Sequence, residues 1–228
     1  MPPKVTVLQL QTSFPRIPGD VASPETYLGE LEVISIANAT VRNIVSQTPD
    51  RIDIKPFEDA LEKATGDIVV TSCGFLAYWQ KHLALRTNKP FISSALVALK
   101  ELSLRFSPSE ILILTFDKES LGHAHFGEYT AYHGGTIGLR ADMYLRRVIS
   151  EDQRDLDVAK ATHDVTSILT GAKLSAYRHI LLECTNLPPY KPTITRMTSL
   201  GVSDILTCIE GIKPGSVRPE FLIQGKPP

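Results

Sequence analysis

The chain has 228 residues, 43% of them apolar and 21% charged, with a formal net charge of −1. That composition excludes a disordered chain, and the near-neutral charge gives no electrostatic basis for binding nucleic acid or an anionic membrane. No apolar span reaches bilayer length, "MPPKVTVLQLQTSFPR" lacks the apolar region of a signal peptide, and three cysteines make no disulfide framework. A cytoplasmic, reduced protein of one large or two small domains is expected.

Val5–Leu10 predicts the first strand, followed by the Pro-rich loop "QTSFPRIPGD". The stretch from Ala22 to Pro56 gives only "ELEVISIAN" as a strand. Asp67–Thr71 predicts a strand and Phe75–Arg86 a helix, whose Leu76, Trp79 and Leu83 form a stripe at helical spacing. Lys89–Ile92 enters another strand, and "SSALVALKEL" reads as serine caps before a helix. Glu110–Phe116, "EILILTF", predicts a buried strand, and Gly122–Gly138 a loop rich in Gly and His. Asp155–Thr170 predicts a helix with Val158, Thr162, Val165 and Leu169 on one face and Gly171 as its stop. His179–Leu182 and Val202–Leu206 predict the last strands. Strands alternating with helices imply parallel sheets and an α/β fold.

"DIVVTSCGF" and "HILLECTNL" share one grammar, in which a polar residue and three aliphatics lead through polar residues to a cysteine. Cys73 and Cys184 are 184 − 73 = 111 residues apart, about half the chain. Two similar lobes follow, with expected bounds of 1–104 plus 206–228 for the first and 105–205 for the second. In open α/β sheets ligands bind beyond the carboxyl ends of the strands, where the next helices begin. A thiol there meets backbone N–H groups and a positive helix end, and both favour thiolate. A buried cysteine is often a mere small hydrophobe. Two at matched strand ends point instead to reactive thiols. Cys208, in "LTCIEG", lacks this grammar and reads as structural. Two facing thiols suit acid and base work on opposite faces of one carbon, with sulfurs about 7–8 Å apart.

"TSCGF" and "ECTNLPPY", with "FPRIPGD" after the first strand, resemble the aspartate/glutamate racemase superfamily over nearly the whole chain. Amino-acid and hydantoin racemases, maleate isomerases and arylmalonate decarboxylases belong to it. The resemblance implies two pseudo-symmetric α/β lobes, an active site between them, no cofactor, and Cys73 and Cys184 as the two acid/bases. It also places Ser72 and Thr185 where the family holds a carboxylate. The implied activity is an isomerase, a racemase of an Asp- or Glu-like amino acid, with another reaction of the superfamily as the alternative. Amino-acid racemases usually carry Asn-Thr after the first cysteine, whereas this chain has Gly74-Phe75. After the second they often carry Thr then His or Glu, whereas here it is Thr185-Asn186.

The candidate substrate-binding residues are Thr12, Ser13, Arg16, Ser72, Gly74, Phe75, Thr185 and Asn186. Thr12 and Ser13 end the first strand, and Arg16 is a partner for a second carboxylate. Ser93 and Ser94 also end a strand, although N-capping explains them. His123, His125, His133 and Asp117 match no strong zinc spacing, so no metal is expected. A cysteine hydrolase or amidotransferase with His163 or His179 as base, and a non-catalytic carboxylate sensor, are rival readings. A small carboxylate is the expected partner, and a homo-oligomer stays open.

Overall fold

Residues 1–223 are described by a computed structural model. Val5–Leu10 (β1) pairs in parallel with Leu31–Ile36 (β2) on one side and Ile68–Thr71 (β3) on the other. Phe91–Ile92 (β4) completes the sheet, in the order β2-β1-β3-β4. Ile111–Thr115 (β5), Thr136–Gly138 (β6), His179–Leu182 (β7) and Gly201–Ser203 (β8) form a second parallel sheet, ordered β6-β5-β7-β8. The two sheets repeat one topology. The central strands β3, β5 and β7 are buried at every position, which is why they read as unbroken aliphatic runs. At the edge, β2 leaves Val33 exposed, and this weakens its signal.

The helices are Val41–Ile44 (α1), Lys55–Lys63 (α2), Gln80–Ala84 (α3), Leu99–Leu102 (α4), Tyr144–Ser150 (α5), Val158–Gly171 (α6), Lys191–Met197 (α7) and Ile205–Ile212 (α8). The expected helix over 75–86 is instead a 3-10 segment, Gly74–Trp79, running into α3. Its tighter turn is closed by Leu76 N–H donating to the Cys73 carbonyl. The expected loop 122–138 is mostly 3-10 turns over His123–Gly135, then β6. The expected strand over 202–206 stops at Ser203, because the Asp204 side chain accepts the Thr207 N–H and starts α8.

Likewise Asp157 caps α6 by accepting from the Ala159 and Lys160 N–H groups. The buried face of α6 is Ala161, Asp164, Val165 and Leu169, while Val158 is exposed, which rotates the expected stripe. No helix of the described residues is long and apolar enough to cross a membrane.

After β8 the chain returns to the first sheet. α8 packs on β4 as well as β8, Leu28 N–H donates to the Ser216 carbonyl, and Tyr27 bridges Val217. Of the expected first-lobe stretch 206–228, residues 224–228 lie outside the described residues. At the start of α7, Lys191 is buried with its Nζ 2.5 Å from Asp204.

Candidate active site

In a strand order of 2-1-3-4 the chain reverses direction across the sheet between the first and third strands, and a crevice opens there at the strands' carboxyl ends. The first sheet sends Leu10, Thr12, Phe14 and Arg16 from β1 and Ser72 and Cys73 from β3 to that place. The second sheet sends Phe116 from β5 and Glu183 and Cys184 from β7. All of these line one pocket, with about 380 Å³ of empty space including its mouth. Ser72 Oγ accepts from the Leu10 N–H at 3.0 Å, and Thr185 Oγ1 donates to the Ser72 carbonyl at 2.6 Å. The second bond crosses between lobes and ties one cysteine segment to the other.

Both thiols are free and nearly buried, Cys73 at 8% and Cys184 at 5% exposure. Their settings match, since each sulfur meets the backbone N–H two residues on, that of Phe75 or of Asn186. Those N–H groups pull toward thiolate, as expected from the sequence, but burial is the larger effect. It pushes the Cys73 thiol up to about 12, with the Glu183 carboxylate adding to the rise and Arg16 opposing it. Cys184 is raised further by burial, then by Glu183, Cys73 and Asp20. Burial thus outweighs the pull toward thiolate that the strand-end setting suggested. The Cys184 thiol donates to Asn186 Oδ1 at 3.8 Å.

Glu183 is fully buried, and the sequence reading passed over it. Its one signal is a charged residue set directly against a buried aliphatic run. Thr115 Oγ1 donates to its Oε2 at 2.6 Å, while Oε1 has no hydrogen-bond partner. Oε1 occupies the space where a Cβ on residue 74 would stand, so Gly74 is needed for the carboxylate to fit. Burial raises the Glu183 carboxyl to about 7, against the pull of Thr115.

Arg16 is no solvated loop residue. Its side chain is 10% exposed, paired with Asp20 at 3.3 Å and stacked over the Phe14 ring at 4.2 Å. Nη2 donates to Thr12 Oγ1 at 2.9 Å, and the buried Nε lacks a partner. Asp20 also accepts from Asn186 Nδ2 at 2.7 Å, so it fixes a residue of each lobe. Phe75 is buried in the pocket wall, edge-on to His125. Leu10, Val41, Val45, Phe116 and Ile149 make the remaining wall apolar.

The pocket thus gathers Thr12, Arg16, Ser72, Cys73, Gly74, Phe75, Cys184, Thr185 and Asn186. Ser13 is not among its lining residues. It is exposed, and its N–H donates to Asp152 Oδ1 at 2.5 Å, with the Phe14 N–H on the same oxygen at 3.1 Å. Ser94 Oγ accepts from the Leu96 N–H and Ser93 Oγ donates to Gln80, as a cap and a packing bond. Cys208 lies on α8, outside the pocket.

No histidine is among the pocket's lining residues. His163 is exposed on α6, and His179, at the amino end of β7, bonds Ser203. Neither histidine of the hydrolase reading therefore lines the pocket with the cysteines. His125 and His133 meet the carbonyls of Gly122 and Leu121, and Asp117 pairs with Arg146. No three potential metal ligands come together among the described residues.

No family model matches the chain. It is 28% identical over 235 residues to a dimethylsulfoniopropionate lyase of Durusdinium sp. clade D, covering 94% of this chain and 76% of that protein. It is 27% identical over 236 residues to dimethylsulfoniopropionate lyase 5 of Emiliania huxleyi, covering 96% of this chain and 47% of that protein. The chain therefore spans about half the length of that second relative. These relatives overturn the expectation of an isomerase in amino-acid metabolism, because they are named for a lyase reaction.

The solved structures speak to the fold. Picrophilus torridus aspartate racemase superposes with a TM-score of 0.56 at 13% identity, covering 96% of this chain and 98% of that one. An unliganded arylmalonate decarboxylase gives 0.55 at 16% identity, covering 95% and 96%. The two four-stranded parallel sheets, related by one topology, thus share the fold of these racemase and decarboxylase structures.

Proposed function

We propose that the protein is a lyase that cleaves dimethylsulfoniopropionate, or a close sulfonium carboxylate, by β-elimination in the pocket between the lobes. One observation carries the reading: the two cysteines that the topology matches line a single small pocket, in a chain whose curated relatives are named for this reaction. The substrate has a carboxylate, an acidic hydrogen on the carbon beside it, and a neutral thioether as leaving group. A thiolate removes that hydrogen, the carbon–sulfur bond breaks, and acrylate and dimethyl sulfide leave. The leaving group departs uncharged and needs no acid.

Cys73 is the base. Arg16 favours its thiolate, whereas Asp20 opposes ionisation of Cys184, whose proton is held toward Asn186. The buried Arg16 Nε and the N–H groups behind the thiols stabilise charge that builds on the substrate carboxylate as the α-hydrogen leaves. The Phe75 and Phe116 rings and the aliphatic wall receive the methylated sulfonium, a cation suited to aromatic faces. The superfamily's two-thiol site is thereby used for elimination, with no hydrogen returned to carbon.

Incubation of the purified protein with dimethylsulfoniopropionate is expected to release dimethyl sulfide and acrylate in equal amounts, read by gas chromatography and NMR. Folded protein that releases neither would overturn the reading.

A further inference from the structure

Elimination differs from racemisation in one respect that this pocket must answer. A racemase returns a proton to carbon in every cycle. In β-elimination the α C–H bond breaks and its electron pair becomes the new C=C bond. The pair of the broken C–S bond leaves on sulfur, and the proton stays on the thiol. Each turnover therefore ends with a protonated Cys73 in a nearly buried pocket, and the next cannot begin until that proton has gone.

We propose that Glu183 is the relay that takes this proton: its carboxylate accepts it from the thiol, through pocket water, and passes it to solvent. This inference rests on the lyase reading above. Glu183 follows β7 directly, next to Cys184 in the chain, and its Oε1 fills the gap left by Gly74, next to Cys73. Its charge acts on both thiols. Oε1 has no partner, so one oxygen is free to receive a proton while Thr115 holds the other.

No other residue lining the pocket is suited to the task. Arg16 offers donors and no acceptor, no histidine or lysine is present, and Asp20 lies outside the lining and is taken up by Arg16, Asn186 and the Ala22 N–H. The titratable groups coupled to Glu183 are thus Cys73 from the first sheet and Cys184 from its own segment, while β5 contributes the neutral Thr115. The carboxyl titrates at about 7, so at neutral pH it can both take up a proton and lose one to water. Glu183 acts through the thiol and does not touch the substrate.

The test is the pH profile of dimethyl sulfide release by wild type, Glu183→Gln and Thr115→Val. In wild type kcat should fall as pH drops below about 7, where Glu183 is already protonated and cannot accept. In Glu183→Gln neutral-pH turnover should fall about 100-fold, and the acid limb should move far to the alkaline side, where hydroxide replaces the relay. Thr115→Val removes the bond that lowers the Glu183 carboxyl, so its limb should shift upward with the carboxylate still present. This variant carries the test if Glu183→Gln does not fold. A Glu183→Gln enzyme with the wild-type limb overturns the relay, as does a loss equal at every pH or an unmoved limb in Thr115→Val. Wild-type protein that releases no dimethyl sulfide defeats the lyase reading itself, and the relay falls with it.

Discussion

Cys73→Ser is expected to lower dimethyl sulfide release by about 10²–10⁴-fold, the usual contribution of a positioned general base. A serine hydroxyl is far less acidic than a thiol, so Arg16 and the Phe75 N–H cannot make it a base at neutral pH. Cys184→Ser should lose less. Its role is to hold a proton toward Asn186, and a hydroxyl donates that bond as well as a thiol does. Cys208→Ser should stay within twofold or so of wild type, because this residue lies on α8 away from the pocket. Steady-state assays of the three variants check the assignment. A greater loss at Cys184 than at Cys73 would move the base to the second lobe, and full activity in both would remove thiols from the chemistry.

The largest expected effect on stability lies elsewhere, at Lys191 and Asp204. Both are buried, at 1% and 0% side-chain exposure, and their charges are 2.5 Å apart. Removing one charge from a buried pair leaves the other unpaired, which costs about 3–5 kcal/mol. Lys191→Met should therefore lower the free energy of unfolding by that amount in urea titrations. Lys191→Met with Asp204→Asn should recover much of it, because Asn is neutral and can still cap α8 through its Oδ1 toward the Thr207 N–H. A loss under about 1 kcal/mol in the single variant would place Lys191 in solvent, as expected of an exposed pair.

The parts of the fold legible in the sequence were those where one local pattern dominates. The aliphatic strands β3, β5 and β7 run straight through the core, and the repeated strand–cysteine grammar announced two lobes. Short elements were lost. α5 and α7 have seven residues each, too few for a stripe to stand out, and β6 has three. The stretch after Cys73 has helical spacing, yet the structure winds it more tightly as it leaves the strand.

The site was legible in its cysteines and in Thr12, Arg16, Ser72, Gly74, Phe75, Thr185 and Asn186, which the two strand ends bring together. Glu183 and Asp20 escaped because their partners come from distant segments: Gly74 and Thr115 for one, Asn186 for the other. Ser13 was misplaced because only its backbone is engaged, with Asp152 on the far side of the chain. The reaction type was the least legible part. A thiol that removes an α-hydrogen serves racemisation and elimination alike, and the two diverge only in the bond that breaks next.

The Asp152 carboxylate receives two backbone amides, those of Ser13 and Phe14, from the loop that also carries Thr12 and Arg16. A single side chain from between α5 and α6 thereby fastens the loop that follows β1. Ser13 lies at the surface, and its amide hydrogen is engaged by that carboxylate. The rate at which residue 13 takes up deuterium consequently measures how often the clasp springs open. It serves as a stopwatch for the loop that carries Thr12 and Arg16, readable with no substrate in the tube.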